Sequence, residues 1–148
     1  MAYILQNGDP GYDANTTHGL IAADSDQHFA AWGCASTALS GADGTAIGTG
    51  NQNTLDIIAG CATEGIAASL CANLSLNGYD DWYLPSKDEL NKLYINRIAI
   101  GNFDTSWFYW SSSENTSYSQ ARKQSFVDGS QSISHKTSDG FVRPIRSF

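Results

Sequence analysis

Hydrophobic positions along the chain come in short clusters set between polar, glycine-containing stretches. Residues 2–5 (AYIL) and 19–23 (GLIAA) predict two short strands, joined by a loop over Gln6–Thr17 that holds Gly, Asp, Asn and Pro. Gly41–Gly50 (GADGTAIGTG) predicts a glycine-rich, tightly turned or flexible loop. Asn53 or Thr54 can cap a short helix with Leu55, Ile57 and Ile58 as its apolar contacts. Thr63 can cap another, in which Ile66, Ala67, Leu70, Cys71 and Leu74 recur at helical spacing. Ser86 with Glu89 three residues on is a capping box, and Leu90, Leu93, Tyr94 and Ile98 give its helix one apolar face ending near Gly101. The remainder predicts strands at Trp107–Ser111, Ala121–Phe126, Gln131–Lys136 and Phe141–Phe148. Asp128-Gly129 marks the turn after the second of these, and Thr137–Gly140 the turn after the third. Two strands, helices and then an antiparallel meander make an α+β domain whose last strand returns toward the first.

A chain of 148 residues is one domain with room for a core, and no linker or internal repeat divides it. Only 16% of residues are charged, against a norm of roughly 25%. A net charge of -7 argues against nucleic acid or an anionic membrane as partner. No apolar run is long enough to insert in a membrane, and no signal peptide is visible, so membrane insertion is not expected.

Candidate catalytic chemistry is sparse. The glycine-rich loop lacks the Gly-Lys-Ser/Thr of a phosphate-binding loop, G-x-S-x-G is missing, and His18, His28 and His135 show no metal-ligand spacing. Asp80, Asp81 and Glu89 are the densest carboxylates but lack EF-hand spacing, and Glu89 already serves the capping box. Neither a cofactor nor a metal is expected. Arg143 and Arg146, three apart on a strand, face opposite sides; a structural role is expected for both, one of them pairing with Asp81 or Glu89. Cys34, Cys61 and Cys71 allow three pairings; Cys34–Cys61 with Cys71 buried and free is preferred, and three reduced thiols is the alternative.

From Tyr109 onward a few bulky or charged anchors frame small polar residues, as in a folded scaffold that displays an adaptable binding surface. Trp110 and Trp82 are expected in the core.

The stretches GYDDWYLPSKDELNKLY, YWSSSE and FVRPIRSF, with GYDANTTHGLIAADSDQ and GADGTAIGTGNQNT, resemble a bacterial family. It is typified by the C-terminal domain of the Legionella collagen-like adhesin. The resemblance spans nearly the whole chain. It implies a C-type-lectin-like fold related to the formylglycine-generating enzyme fold. It also implies an extracellular, cell-surface or phage-borne adhesin or receptor-binding domain, a glycosaminoglycan ligand and a homotrimer. Many relatives have Cys where this chain has Pro144, which removes a partner for Cys71 and favours Cys34–Cys61.

The tail also resembles variable proteins of diversity-generating retroelements, in which mutated asparagine codons rewrite a C-terminal segment. That resemblance implies a ligand-binding set of Asn115, Ser117, Tyr118, Ser119, Arg122, Ser125, Val127, Asp128, Ser130, Ser132, Ser134 and His135, continuing through Thr137, Ser138 and Asp139. These interleave with anchors at Phe126, Gly129, Gln131, Lys136 and Phe141, so that alternation could gather the set on one exposed face. The expectation is a non-enzymatic module that binds a protein receptor or a glycan on another cell surface. An ordinary solvated meander with an invariant site elsewhere is the competing reading. Fold kinship also raises an enzyme, for which Cys71 is the one candidate nucleophile.

Overall fold

The computed structural model describes residues 1–148. Its elements are β1 (Tyr3–Ile4), β2 (Gly19–Ala22), β3 (Gln27–Ala31), α1 (Gly50–Gly60), α2 (Ala67–Ala72), α3 (Lys87–Ile95) and α4 (Arg97–Ile100), followed by β4 (Phe108–Glu114), β5 (Gln120–Ser125), β6 (Gln131–His135), β7 (Asp139–Val142) and β8 (Ile145–Ser147). The class is α+β. The strands form a three-stranded sheet, β1-β2-β8, and a five-stranded sheet, β3-β7-β4-β5-β6.

The C-terminal strands depart from a simple meander. β4, β5 and β6 follow one another antiparallel, but β7 crosses to the far side of β4, parallel to it, and pairs antiparallel with β3. Small and large residues alternate to allow this. Gly140 leaves space for Phe108, whose ring a Cβ there would approach to 2.4 Å, and the Phe141 ring packs 5.3 Å from that of Tyr109. The single strand expected over Phe141–Phe148 divides at Arg143-Pro144. Proline has no N–H to give to a ladder. Its carbonyl instead accepts the Ala23 N–H at 2.9 Å, and the chain passes from the larger sheet into the smaller one. There β8 pairs with β2, Leu20 opposite Ser147, so β2 stands between the first and last strands.

β4 is buried over its whole length, and its side chains alternate between two cores. Phe108 and Trp110 point toward Trp32, Ile57, Cys71 and Leu84 on the α1/α2 side. Tyr109 points toward Leu90, Leu93, Phe126 and Ile145 on the α3 side. Trp82 and Trp110 are both buried, as expected.

The helix starts differ from the sequence expectation where polar residues serve the interior. α1 begins ahead of Asn53 and Thr54, and both are buried. The Asn53 amide bonds both backbone groups of Gly44 and the Ser112 hydroxyl, while Thr54 Oγ1 accepts the Leu84 N–H at 3.0 Å. Thr63 lies outside α2, beside Cys34 Sγ. The capping box of α3 forms as read: Ser86 Oγ accepts the Glu89 N–H, and Glu89 accepts the Ser86 N–H at 2.7 Å. The helix breaks at Asn96, and one further turn, α4, carries it to Gly101. Cys34 and Cys61 are disulfide-bonded, and Cys71 is free and buried.

Candidate functional site

The site begins with its support. Ser111, Ser112 and Ser113, part of the polar tail by composition, are buried in β4, and each hydroxyl has a partner. Ser111 Oγ donates to the Arg122 carbonyl at 2.8 Å, and Ser112 Oγ accepts from Asn53. Ser113 Oγ donates to the Gly44 carbonyl at 2.7 Å and accepts the Lys87 N–H at 3.0 Å. These serines lock the sheet to the glycine-rich loop and to the start of α3. At the next residue Glu114 pairs with the buried Lys136 ammonium. Glu114 also accepts the Leu39 N–H, while Lys136 donates to the Thr37 carbonyl and sits 4.5 Å from the Trp32 ring centre. Lys136 follows β6 directly, so this ion pair roots the end of the β5–β6 hairpin in the core.

Above that support none of the sequence-selected residues is buried. Asn115, Ser117, Tyr118 and Ser119 lie in the connection from β4 to β5. Asp128 turns the β5–β6 connection and accepts from both the N–H and the hydroxyl of Ser130. These residues do not share one face. Cross-strand partners point the same way, and the register sets Lys123 opposite Ser132 but Arg122 opposite Ile133. One side of the hairpin therefore carries Lys123, Ser125, Ser132 and Ser134; the other carries Arg122, Ile133 and His135. Of the expected anchors, Phe126 and Lys136 are buried, and Phe141 is half-buried. Gly129 has φ 83°, with the Tyr94 ring 2.3 Å from where a Cβ would stand. Gln131 is exposed, and its amide donates to the Lys87 carbonyl at 2.9 Å.

Each side has a cavity. The first, of about 350 Å³, brings Ser125, Val127, Ser130 and Ser132 together with Trp107 and Lys123. Trp107 is 51% exposed and held by an indole bond to the Asp139 carbonyl. The Lys123 ammonium stands 4.1 Å over the Phe108 ring, and partial burial lowers its pKa. The second cavity, of about 200 Å³, is lined by Lys87, Arg122, Gln131, Ser132 and Ile133. Trp107, Lys87 and Ile133 were not singled out from the sequence. An indole at the head of a strand otherwise facing the core was the available signal for Trp107. Lys87 comes from a distant helix and gave none.

The remaining candidates are structural. Arg146 makes a two-pronged pair with Asp81 at 2.6 and 2.8 Å on the surface, holding that carboxyl below its usual range. The expected pairing with Asp81 is thus made by Arg146, at the surface, while the buried arginine, Arg143, takes Asp26 as its acid at 2.6 Å. Tyr109 donates to the same Asp26 carboxylate, and burial followed by that bond raises its pKa. Glu89 has no cation; it accepts the N–H groups of Ser86 and Gly48, and burial raises its pKa despite them. Gly50 approaches it so closely that a Cβ would stand 2.2 Å from its carboxylate. Cys71 is fully buried and its thiol pKa is pushed well up, the condition of a packed thiol rather than a reactive one. No helix is long and apolar enough to cross a membrane.

A comparison with curated proteins gives no match. Residues 23–146 match the Lcl C-terminal domain family, in agreement with the resemblance carried by the GYDDWYLPS, YWSSSE and FVRPIRSF stretches. With the match running from just after β2 into β8, the chain belongs to the Lcl C-terminal domain family.

Proposed function

We propose that this domain is a non-enzymatic binding module of an adhesin or receptor-binding protein, exported or displayed on a cell surface or phage particle. Its β5–β6 hairpin meets a protein receptor or a glycan. One observation carries the reading: a strand buried along its whole length supports a neighbouring hairpin on which every sequence-selected position reaches solvent. Such an arrangement lets surface residues change without disturbing the core. It suits a C-type-lectin-like scaffold, and it suits retroelement-driven diversification, since Phe126 and Lys136 stay buried between changeable positions. Tyr118 and Trp107 supply exposed aromatic area, Arg122 and Lys123 charge, and the hairpin serines adaptable hydrogen bonds. A homotrimer would multiply the contact.

A second reading, an invariant glycosaminoglycan site, is favoured by Lys87 and Arg122 lining one cavity in a chain of net charge -7. A glycan array and a receptor-capture assay with the Tyr118→Ala/Arg122→Ala variant test the proposal. Ligand should be lost while the melting temperature holds. Unchanged affinity for every ligand found would place the binding surface elsewhere.

A further inference from the structure

β6 is the outer strand of the five-stranded sheet, and nothing pairs with its far edge. Its hydrogen bonds to β5 identify which groups are free. The Ser130 carbonyl accepts the Ser125 N–H and the Lys136 N–H donates to Ser119, both at 2.9 Å. In an antiparallel ladder every second residue turns toward the neighbour. Even-numbered positions therefore serve β5, and the backbone groups of Gln131 and Ile133 point outward. The His135 carbonyl is taken by the Ser138 N–H, which closes that end of the edge. No proline, lysine or other charge interrupts β6 itself, and Ile133 is 41% exposed. An open edge of this kind can accept an extended chain as a further strand.

Charge indicates which chain. Lys87, Lys136, Arg143 and Arg146 are ion-paired. Lys92, Arg97 and Lys123 lie over the rings of Tyr3, Tyr94 and Phe108. Arg122 alone among the basic side chains has neither carboxylate nor ring, and its Nε is buried without a hydrogen-bond partner. It lines the 200 Å³ cavity beside Lys87, whose one partner is the adjacent Asp88 at 3.1 Å. Across the hairpin Lys123 lines the 350 Å³ cavity. No carboxylate lines either one. An added strand would send alternate side chains to these two cavities.

We propose that β6 takes up an extended acidic segment of a partner protein as an extra strand, with one carboxylate seated between Lys87 and Arg122. The inference rests on the hairpin as the binding region and adds the mode and the chemical class of the partner. The probe is a short peptide alternating threonine and glutamate. Its controls are the glutamine counterpart and a version N-methylated on the side that would face β6. Amide NMR should show shifts centred on Gln131 and Ile133, abolished by N-methylation. Exchanging glutamate for glutamine should weaken binding about tenfold. Arg122→Gln should weaken the glutamate peptide to the same degree while leaving the glutamine peptide unchanged, a difference that a merely structural arginine would not make. Equal binding of the two peptides, or no shift at Gln131 and Ile133, overturns the proposal. So does a heparin oligosaccharide that shifts the Arg122 signals where the peptide does not. Either result leaves the hairpin reading standing as long as the Tyr118/Arg122 variant still loses its ligand. Self-association that shifts Ile133 without peptide would give the edge to a second copy and also overturn it.

Discussion

Ser111, Ser112 and Ser113 on β4 and Ser130, Ser132 and Ser134 along the hairpin are the same residue in adjacent parts of one sheet. The first three are buried with every hydroxyl matched, and the second three reach solvent. The difference lies in what surrounds them. Around β4 the backbone groups of Gly44, Lys87 and Arg122 and the Asn53 amide arrive at 2.7–3.2 Å. Around β6 there is solvent, one neighbouring strand and short local bonds such as Ser130 to Asp128. A small polar side chain is thus a spacer with a fixed partner in one place and a free contact in the other. Composition does not separate the two cases; only a partner supplied from far along the chain does.

Four changes would break or sharpen that contrast. Lys136→Met removes the cation from beneath the hairpin and leaves the Glu114 carboxylate buried without it. The expected loss is about 3–5 kcal/mol by chemical denaturation, partly restored by adding Glu114→Gln. A loss below about 1 kcal/mol would mean that the hairpin is not rooted there. Ser113→Ala deletes the acceptor of the Lys87 N–H and one of the two donors to the Gly44 carbonyl, and should cost about 1–3 kcal/mol. Glu89 gives a smaller effect, visible against pH. Its folded carboxyl holds a proton that the unfolded chain releases near the ordinary 4.5, so stability should fall as pH rises from there through the raised value. Glu89→Gln should flatten that slope; parallel profiles for the two proteins would show that Glu89 does not titrate in the window. Ser132→Ala, chemically the same edit as Ser113→Ala, should stay within about 0.5 kcal/mol. A cost similar to that of Ser113→Ala would erase the distinction between the two regions.

Local signals were legible in the sequence. The Ser86/Glu89 capping box, the strand positions of β2, β5 and β6, and the turn at Asp128-Gly129 all follow from neighbours within a few residues. What escaped depends on distant partners. β3 went unread because His28 and Phe29 face outward, and Phe29 gains its packing from Phe141, 5.0 Å away. Asn53 and Thr54 look like helix caps because cap residues and buried hydrogen-bonding residues are chemically alike. The crossing of β7 and the break at Pro144 are properties of sheet topology. For the site, the exposed hairpin was legible as a run of small polar residues. Its two-sidedness was not, because β6, with Ile133 its one apolar residue, carries no alternation to say which way it faces. The lone Arg122 was readable as a candidate contact, but the Lys87 beside it was not.

The position of β7 carries one more consequence, for the moment of synthesis. This strand lies between β3 and β4, yet it is encoded after both, and β8 completes the second sheet later still. While residues 139–148 remain unmade, β3 has no neighbour and the disulfide-bearing half of the protein is not joined to the hairpin half by any strand. Completion of the fold must wait until these residues have been made, and its rate is set by contacts that span most of the domain.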